Sequence, residues 1–200
     1  RMMQSPSYCY KFYWLEAIVK LISENKEEVS YHEIIDEMIA NAWYSVLEFH
    51  VHLSGLWADG EIRDNLEKAV LKLHRLSHLP ANASKIEIKN QIQRFEKELH
   101  PEKMFLTQNV PYKALSGFAN KGEERIDLNS SAGVMMTYYN RLSTLSPLPY
   151  TFGEQKGLDR EIRFHELWIQ MIQDYTVPIL GWIQYEKVRW LQTVNPEVPG

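Results

Sequence analysis

The first part of the chain shows apolar residues at helical spacing. The stretch YCYKFYW, residues 8–14, places five aromatic residues in seven positions, and the apolar run continues to Ile22. Strict alternation is absent and few polar residues interrupt the run, so the pattern predicts a central helix that is apolar on most of its sides. We therefore expect Trp14 to be a core residue rather than part of an exposed platform on which bases stack.

Two capping boxes predict where the next helices begin. Ser30 with Glu33 precedes a long apolar run, which predicts a second helix that ends near Gly55 and buries Trp43. Residues 61–79 are amphipathic, and a second capping box at Ser84 opens another seam of apolar residues that reaches residue 99. Two such seams joined by a short loop predict an antiparallel helical hairpin over residues 61–100.

The second half of the chain is less regular. Residues 104–164 are expected to form a mixed, loop-rich lobe, because residues 109–133 are rich in Gly, Asn and Ser. We expect a short helix after Pro111 and an ambiguous segment, helix or strand, at 134–142. YTF and EIRF flank a Gly-bounded turn, which predicts a small β-hairpin near residues 150–164. The last apolar segment predicts two helices, with Thr176 as a cap candidate and Pro178 in a first turn.

These elements predict a mainly α fold. We expect a single helical domain over residues 1–195, with six to eight helices, the helical hairpin and the small β-hairpin. The segment NPEVPG contains two prolines and a glycine, which is typical of a domain boundary. Residues 196–200 are therefore expected to begin a linker to a further, C-terminal module.

Composition narrows the classes of function. The 200 residues are 44% hydrophobic and 24% charged, which is typical of a globular protein, and the net charge is −4. Any contact with nucleic acid should therefore be a local basic patch. A single cysteine, Cys9, excludes an intrachain disulfide and a zinc site built on cysteines, and it favours a cytoplasmic location. No apolar run approaches the ~20 residues of a membrane span, so no membrane partner is expected.

The predicted helical hairpin carries the candidate DNA contacts. Its first helix places three basic residues at i, i+4 and i+7, and its second helix carries four more, although acidic residues lie between them. A solvated charged face without a DNA role is the alternative interpretation. The candidates are Lys68, Lys72, Arg75, Lys85, Lys89, Arg94 and Lys97, and the next ones are Arg160, Arg163, Lys187 and Arg189.

The candidate sites for metal binding and catalysis each lack residues that such a site needs. His74 and His78 are four residues apart on a predicted helix and would share a face, but no acidic residue accompanies them there. His50 and His52 would also need further ligands. The segment HELWI begins like a zinc-protease motif but has Ile169 at the position of the second histidine. No nucleophile motif or phosphate-binding glycine loop occurs. We assign no catalytic residue, metal site or cofactor to this chain.

Several blocks of the sequence resemble a known family. SYCYKFYWLEAIVKLI, EMIANAWYSV, VPYKALSGF, LPYTF and GWIQYEKVRWLQTVNPEVPG resemble the N-terminal region of bacterial HNH endonuclease domain-containing proteins. The blocks are scattered over most of the chain, and none is a chemical motif. In that family an HNH module follows, with a ββα-metal fold, a histidine general base and a divalent metal ion. This sequence stops where that module would begin, so no catalytic residue is carried over.

The resemblance implies a role in an endonuclease. It implies a non-catalytic accessory domain that recognises DNA or a partner subunit and positions a separate metal-dependent module. The DNA contact would be made as part of the parent protein, the divalent metal would belong to the absent module, and a homodimer is left open. Two alternatives remain: a protein–protein interaction or regulatory domain without a DNA role, and a histidine-centred metal hydrolase.

Overall fold

The structure is a computed structural model that describes residues 9–55, 60–118, 126–127 and 129–197. Within these ranges it has eight helices and three short strands, which confirms the mainly α fold. Tyr8 and the last three residues of the expected linker lie outside the described residues. The helices are α1 Tyr10–Ser23, α2 Tyr31–Glu48, α3 Asn65–Ser77, α4 Lys85–Arg94, α5 Glu96–Ala114, α6 Ala132–Leu145, α7 Glu166–Asp174 and α8 Thr176–Val194; the strands are β1 Glu28–Ser30, β2 Tyr150–Phe152 and β3 Glu161–Phe164.

Helix α1 is the central helix. It packs against α2, α5, α7 and α8, and Phe12, Tyr13 and Trp14 are each at most 1% exposed. The indole of Trp14 donates a hydrogen bond to the Tyr150 hydroxyl at 3.0 Å, and that hydroxyl donates to the carbonyl of Pro111 at 2.6 Å. Phe12, Tyr13 and Trp14 therefore belong to the core, as the pattern predicts.

Helix α2 begins at its predicted cap and ends earlier than expected. The Ser30 hydroxyl accepts from the amide of Glu33, whose carboxylate accepts from the amide of Ser30. The helix ends at Glu48, because His50 adopts a left-handed backbone with φ of 50° that an α-helix does not accommodate. Trp43 is 1% exposed and donates to the carbonyl of Pro80 at 3.0 Å, so its predicted burial is confirmed.

The helical hairpin expected over residues 61–100 has a different second arm. The chain turns at Phe95, which separates α4 from α5, and α3 packs against α2 and α5 far more than against α4. Lys72 in the middle of α3 meets Glu102 near the start of α5, whereas Asn65 and Asn109 line one cavity at the other end, so the two helices are antiparallel.

Helix α5 extends far into the region predicted to be loop-rich. It continues through Pro101 and Pro111 to Ala114, although each proline removes an amide donor from the helix. Burial of Leu106 and Val110 against the core offsets that loss. The region after Pro111 contains the last turn of α5 and a short 3₁₀ helix, Ser116–Phe118, and the ambiguous segment at 134–142 lies in α6.

The β-hairpin is present and belongs to a larger sheet. Strands β2 and β3 are antiparallel with Thr151 opposite Arg163, and β1 adds to the other edge of β3 with Val29 opposite Ile162. Ile162 and Phe164 are buried while Arg163 between them is exposed, as expected for a sheet with one face on the core. Strand β1 has only three residues, too few for a recognisable alternating pattern.

The final helices divide near the predicted position. Pro178 lies in the first turn of α8, as expected. Thr176 is not the cap, however, because it is the first residue of α8 and its hydroxyl donates back to the carbonyl of Ile172 at 2.6 Å. Among the described residues, no helix has both the length and the apolar character required to cross a bilayer.

Candidate functional site

Three of the seven candidate DNA-contacting residues are used inside the protein. Lys85 and Lys89 of α4 both bind the carboxylate of Glu37 in α2, which is fully buried; the Lys89 Nζ lies 2.7 Å from Oε2. Lys72 donates to both carboxylate oxygens of Glu102 at 3.1 Å. These lysines attach α4 to α2 and α3 to α5, and breaking a pair with a buried carboxylate would leave a charge uncompensated.

The other four candidates are exposed. Lys68, Arg75, Arg94 and Lys97 have no carboxylate partner within the described part of the chain. Arg94 lies over the ring of Phe95, with 5.3 Å between the guanidinium carbon and the ring centroid. We call these four residues the basic patch.

The antiparallel packing of α3 and α5 determines where the basic patch lies. Arg75 in the last turn of α3 is at the end where α5 begins, and Arg94 and Lys97 flank the junction of α4 with α5. Lys68 lies two turns before Arg75 on the same face of α3. Glu98 is exposed beside Lys97 and weakens the local positive potential.

The second set of basic candidates is also engaged in contacts within the protein. Arg160 donates to the carbonyl of Gly153 at 2.6 Å, and Lys187 is buried against Glu16. Arg163 pairs with Glu28 at 3.0 Å, and Arg189 pairs with Glu186 at 3.1 Å. These last two pairs are on the surface and hold their cations only weakly.

The histidines are not brought together. His74 donates through Nδ1 to the carbonyl of Leu79 at 2.8 Å and packs edge-on against Trp43. His78 follows the last residue of α3 and has φ of 55°, so the two rings do not share a helical face as predicted. His52 binds Glu67 at 2.7 Å. Among the described residues, no group of three or more His, Cys, Asp or Glu is placed to hold a metal ion.

A buried charged network joins α2 to α5, and the sequence pattern does not indicate it. The ammonium of Lys103 is fully buried and lies 2.6 Å from Asp36 Oδ1, 2.6 Å from Glu96 Oε2 and 3.2 Å from His32 Nδ1. Burial raises the pKa of Asp36, and the positive charge of Lys103 partly counteracts this. Since every partner is supplied within the fold, the network attaches two helices rather than forming a binding site.

A cavity of about 410 Å³ opens where α1, α3 and α5 meet. We call it the α3 cavity. Its described lining contains three cationic side chains and one carboxylate, Asp64. The hydroxyl of Ser54 and the amide of Glu67 donate to Asp64 at 2.6 and 3.0 Å. The lining residues are Tyr10, Lys11, Ser54, Arg63, Asp64, Asn65, Phe105, Asn109, Val110 and Lys113.

Burial perturbs the ionisable groups around the α3 cavity. Loss of hydration raises the pKa of Asp64 to about 6, although the hydrogen bond from Ser54 acts in the opposite direction. Burial lowers the pKa of Lys11, and the like charge of Lys113 lowers it further. Burial also raises the pKa of the Cys9 thiol, which keeps that sulfur protonated and poorly nucleophilic.

The last two helices leave large apolar side chains in solvent. Val177 is 81% exposed, and Gly181 follows it on the same side of α8. An apolar cleft of about 270 Å³ lies beside this surface and is lined in part by Trp168 and Trp182. We call the exposed surface the α7–α8 face; its large side chains are Leu167, Met171, Tyr175, Val177, Trp182, Tyr185 and Val188.

Comparisons with protein-family models, with curated protein sequences and with solved structures found no match.

Proposed function

We propose that this chain is a non-catalytic accessory domain of an HNH-type endonuclease, and that its basic patch contacts the phosphates of DNA. The observation that carries the proposed DNA contact is that only some of the candidate cations are paired within the fold. Lys72, Lys85 and Lys89 are neutralised by carboxylates of the fold, whereas Lys68, Arg75, Arg94 and Lys97 remain exposed without such a partner in the described residues.

Phosphate contacts of this kind suit an accessory role. They position a protein on DNA but carry little sequence information, and they weaken steeply with salt. A net charge of −4 opposes binding at long range, so the domain alone should bind weakly and the parent protein more tightly. The proposal places the divalent metal and the catalytic histidine in the HNH module, and it places the protein in the cytoplasm.

The resemblance to HNH proteins supports a shared scaffold rather than a shared site. Its first and last blocks correspond to α1 and α8, which pack together through the buried pair of Glu16 and Lys187. Trp14 from the first block contacts Tyr150 from the block LPYTF. Residues that maintain the core therefore account for these blocks, and the endonuclease context rests on the resemblance alone.

The DNA contact is tested by reversing charges in the basic patch. We expect Lys68→Glu, Arg75→Glu and Lys97→Glu combined to weaken binding of duplex DNA at low salt by about tenfold or more, and to lower the log–log salt slope by about 0.9 for each lost contact. Fluorescence anisotropy over a range of salt concentrations measures both quantities. Lys72 is left unchanged because a glutamate there would face Glu102.

Two control variants distinguish a contact between the basic patch and DNA from a general effect of net charge. A charge-preserving triple variant, Lys68→Arg, Arg75→Lys and Lys97→Arg, should bind as the parent does. Lys156→Glu, in the exposed turn between β2 and β3, should change affinity only slightly. Parent-like affinity and salt slope in the triple reversal would contradict DNA binding through this patch.

A second candidate function is a protein–protein interaction domain, and the α7–α8 face specifically favours it. Seven large apolar side chains between Leu167 and Val188 are exposed, and exposed apolar surface on a protein often marks the site where a partner binds. This function is compatible with an endonuclease context, in which the face would bind a partner subunit. No contact of His74 or His78 favours the third candidate, a histidine-centred hydrolase.

A further inference from the structure

We propose that the α3 cavity binds a nucleoside phosphate, with the phosphate between Lys11 and Lys113 and the base against Tyr10 and Phe105. The inference does not rest on the proposed DNA contact, because Lys11 and Lys113 are not members of the basic patch. Three features of the cavity support it: two half-buried lysines that pair with no described carboxylate, a carboxylate that is already engaged, and the size and chemistry of the walls.

The first feature is that Lys11 and Lys113 have no described ion pair, unlike the other buried and half-buried lysines. Both are half-buried, and neither has a carboxylate partner in the described part of the chain. Every other lysine that the described residues bury or half-bury is ion-paired. These pairs are Lys20 with Glu16, Lys72 with Glu102, Lys85 and Lys89 with Glu37, Lys103 with Asp36, and Lys187 with Glu16.

A half-buried ammonium that pairs with no described carboxylate and lies near a like charge is costly. Partial removal from water disfavours the charge of Lys11, and the charge of Lys113 repels it across the cavity. The lowered pKa of Lys11, caused by burial and by Lys113, reports both effects. An oxyanion between the two groups would relieve both, and charge-assisted hydrogen bonds from two lysines are a strong way to bind one.

The second feature is that the carboxylate in the lining does not serve as this counterion. Asp64 accepts hydrogen bonds from the Ser54 hydroxyl and from the Glu67 amide, where it caps α3, and it is 2% exposed. Its oxygens are directed to the helix start and to the loop before it. Lys11 and Lys113, set against this single carboxylate that is already engaged, make this part of the cavity positive, although the whole chain is negative.

The third feature is the shape and chemistry of the walls. A volume of about 410 Å³ lies within the range of small-molecule sites and exceeds what an inorganic ion fills. The Tyr10 hydroxyl accepts from the amide of Asn65 at 3.1 Å, which fixes that ring against the start of α3. Aromatic rings such as Tyr10 and Phe105 can stack on a base, and the amides of Asn65 and Asn109 offer donors and acceptors to its edge.

Calorimetry with adenosine 5′-monophosphate, adenosine and inorganic phosphate tests the proposal on the full chain. The monophosphate should bind about tenfold or more tightly than adenosine, because only the former places an anion between the lysines. It should also bind more tightly than inorganic phosphate, because inorganic phosphate has no base to stack on Tyr10 and Phe105. Equal affinities for the monophosphate and adenosine, or no binding of the monophosphate, would overturn the proposal.

Substitutions of the two lysines test whether the α3 cavity is the site that binds the monophosphate. Lys11→Met and Lys113→Met should each weaken monophosphate binding by about tenfold, while the melting temperature of the free protein stays unchanged or rises because an unpaired cation is removed. Lys11→Arg should retain most of the binding, and the exposed Lys156→Met is the matched control that should not alter it. Parent-like affinity in both methionine variants would overturn the assignment to this cavity.

A nucleoside phosphate can be free or can be the end of a strand, and oligonucleotides distinguish the two. If the source is a strand end, a 5′-phosphorylated single strand should bind more tightly than the same strand with a 5′-hydroxyl, and Lys11→Met should abolish the difference. If the source is a free nucleotide, the two strands should bind alike while the monophosphate still binds. The triple reversal of the basic patch should leave monophosphate binding unchanged, so failure of one proposal is distinguishable from failure of the other.

Discussion

Asp64 caps the start of α3 although it is almost completely removed from water, with 2% of its surface exposed. Loss of hydration raises its pKa to about 6, while the hydrogen bonds from Ser54 and from the Glu67 amide partly offset that effect. The folded state therefore binds more protons than the unfolded state between the ordinary value of 3.8 and about 6. The contribution of Asp64 to the free energy of unfolding consequently falls as the pH rises through this window.

The variant Asp64→Asn tests this linkage. Asparagine also caps helices well, but it does not titrate. We expect the unfolding free energy of the variant, relative to the parent, to increase by about 2 to 3 kcal/mol between about pH 4 and about pH 7.5. Urea denaturation at a series of pH values measures it.

The capping residue Glu87 is the matched control with the opposite sign. Hydrogen bonds from Ser84 lower the pKa of Glu87, so its contribution to stability is present at neutral pH and is lost as the pH falls through its folded pKa. Glu87→Gln should therefore lose stability relative to the parent as the pH rises. A pH-independent difference for Asp64→Asn would show that the Asp64 carboxyl titrates normally in the folded protein.

At the scale of elements, α8 attaches to α1 through a narrow seam. Its buried residues Ile183, Lys187 and Leu191 recur every four positions, and the middle one is charged. The Lys187 ammonium lies 2.6 Å from Glu16 Oε2 and 4.7 Å from the centroid of the Tyr13 ring. Attachment of this helix therefore depends on a pair of charges that are both nearly excluded from water.

We expect Lys187→Met to lower the free energy of unfolding by about 3 kcal/mol, because it leaves the buried Glu16 carboxylate without its closest cation. Adding Glu16→Gln in the same protein should recover part of this loss. Guanidinium denaturation measures both, and Arg189→Met is the control, since its exposed pair with Glu186 should contribute about 1 kcal/mol or less. Equal losses for Lys187→Met and Arg189→Met would contradict a structural role for the buried pair.

At the scale of the whole molecule, the α7–α8 face is an apolar surface that no described part of the chain covers. Gly181 lies on it in the middle of α8, and a Cβ at this position would meet no described atom within 4 Å apart from its chain neighbours and the backbone of its own helix. Glycine in an exposed helix interior costs about 1 kcal/mol relative to alanine. Close approach of another chain would account for a glycine here, and the homodimer that the sequence leaves open is one such arrangement.

Sedimentation velocity at increasing protein concentration tests self-association. The parent should form a dimer at micromolar concentrations, and Val177→Asp with Tyr185→Asp should keep the protein monomeric, because charged side chains would replace apolar contacts. Gly181→Ala should stabilise the monomer by about 1 kcal/mol and weaken the dimer. Val134→Asp, an exposed position on α6, is the control that should leave dimerisation intact. A parent that stays monomeric at every concentration would contradict self-association through this face.

Local features of the sequence specify the helices and the core. The capping boxes at Ser30 and Ser84 and the helical spacing of apolar residues act over a few positions, so they predict where α2 and α4 begin and that Trp14 and Trp43 are buried. The β-hairpin is also local, because its strands flank one turn. In each case the residues that determine the structure are near neighbours along the chain.

Long-range contacts decided which polar residues remain available to bind a ligand. Lys68 and Lys85 look alike in sequence, yet Lys85 pairs with Glu37, 48 positions away, whereas Lys68 is exposed. The α3 cavity likewise needs Lys11 from α1 and Lys113 from α5, and no periodicity relates them. Periodicity records which side of a helix is apolar, whereas the pairing of a charge depends on which distant element the tertiary structure packs beside it.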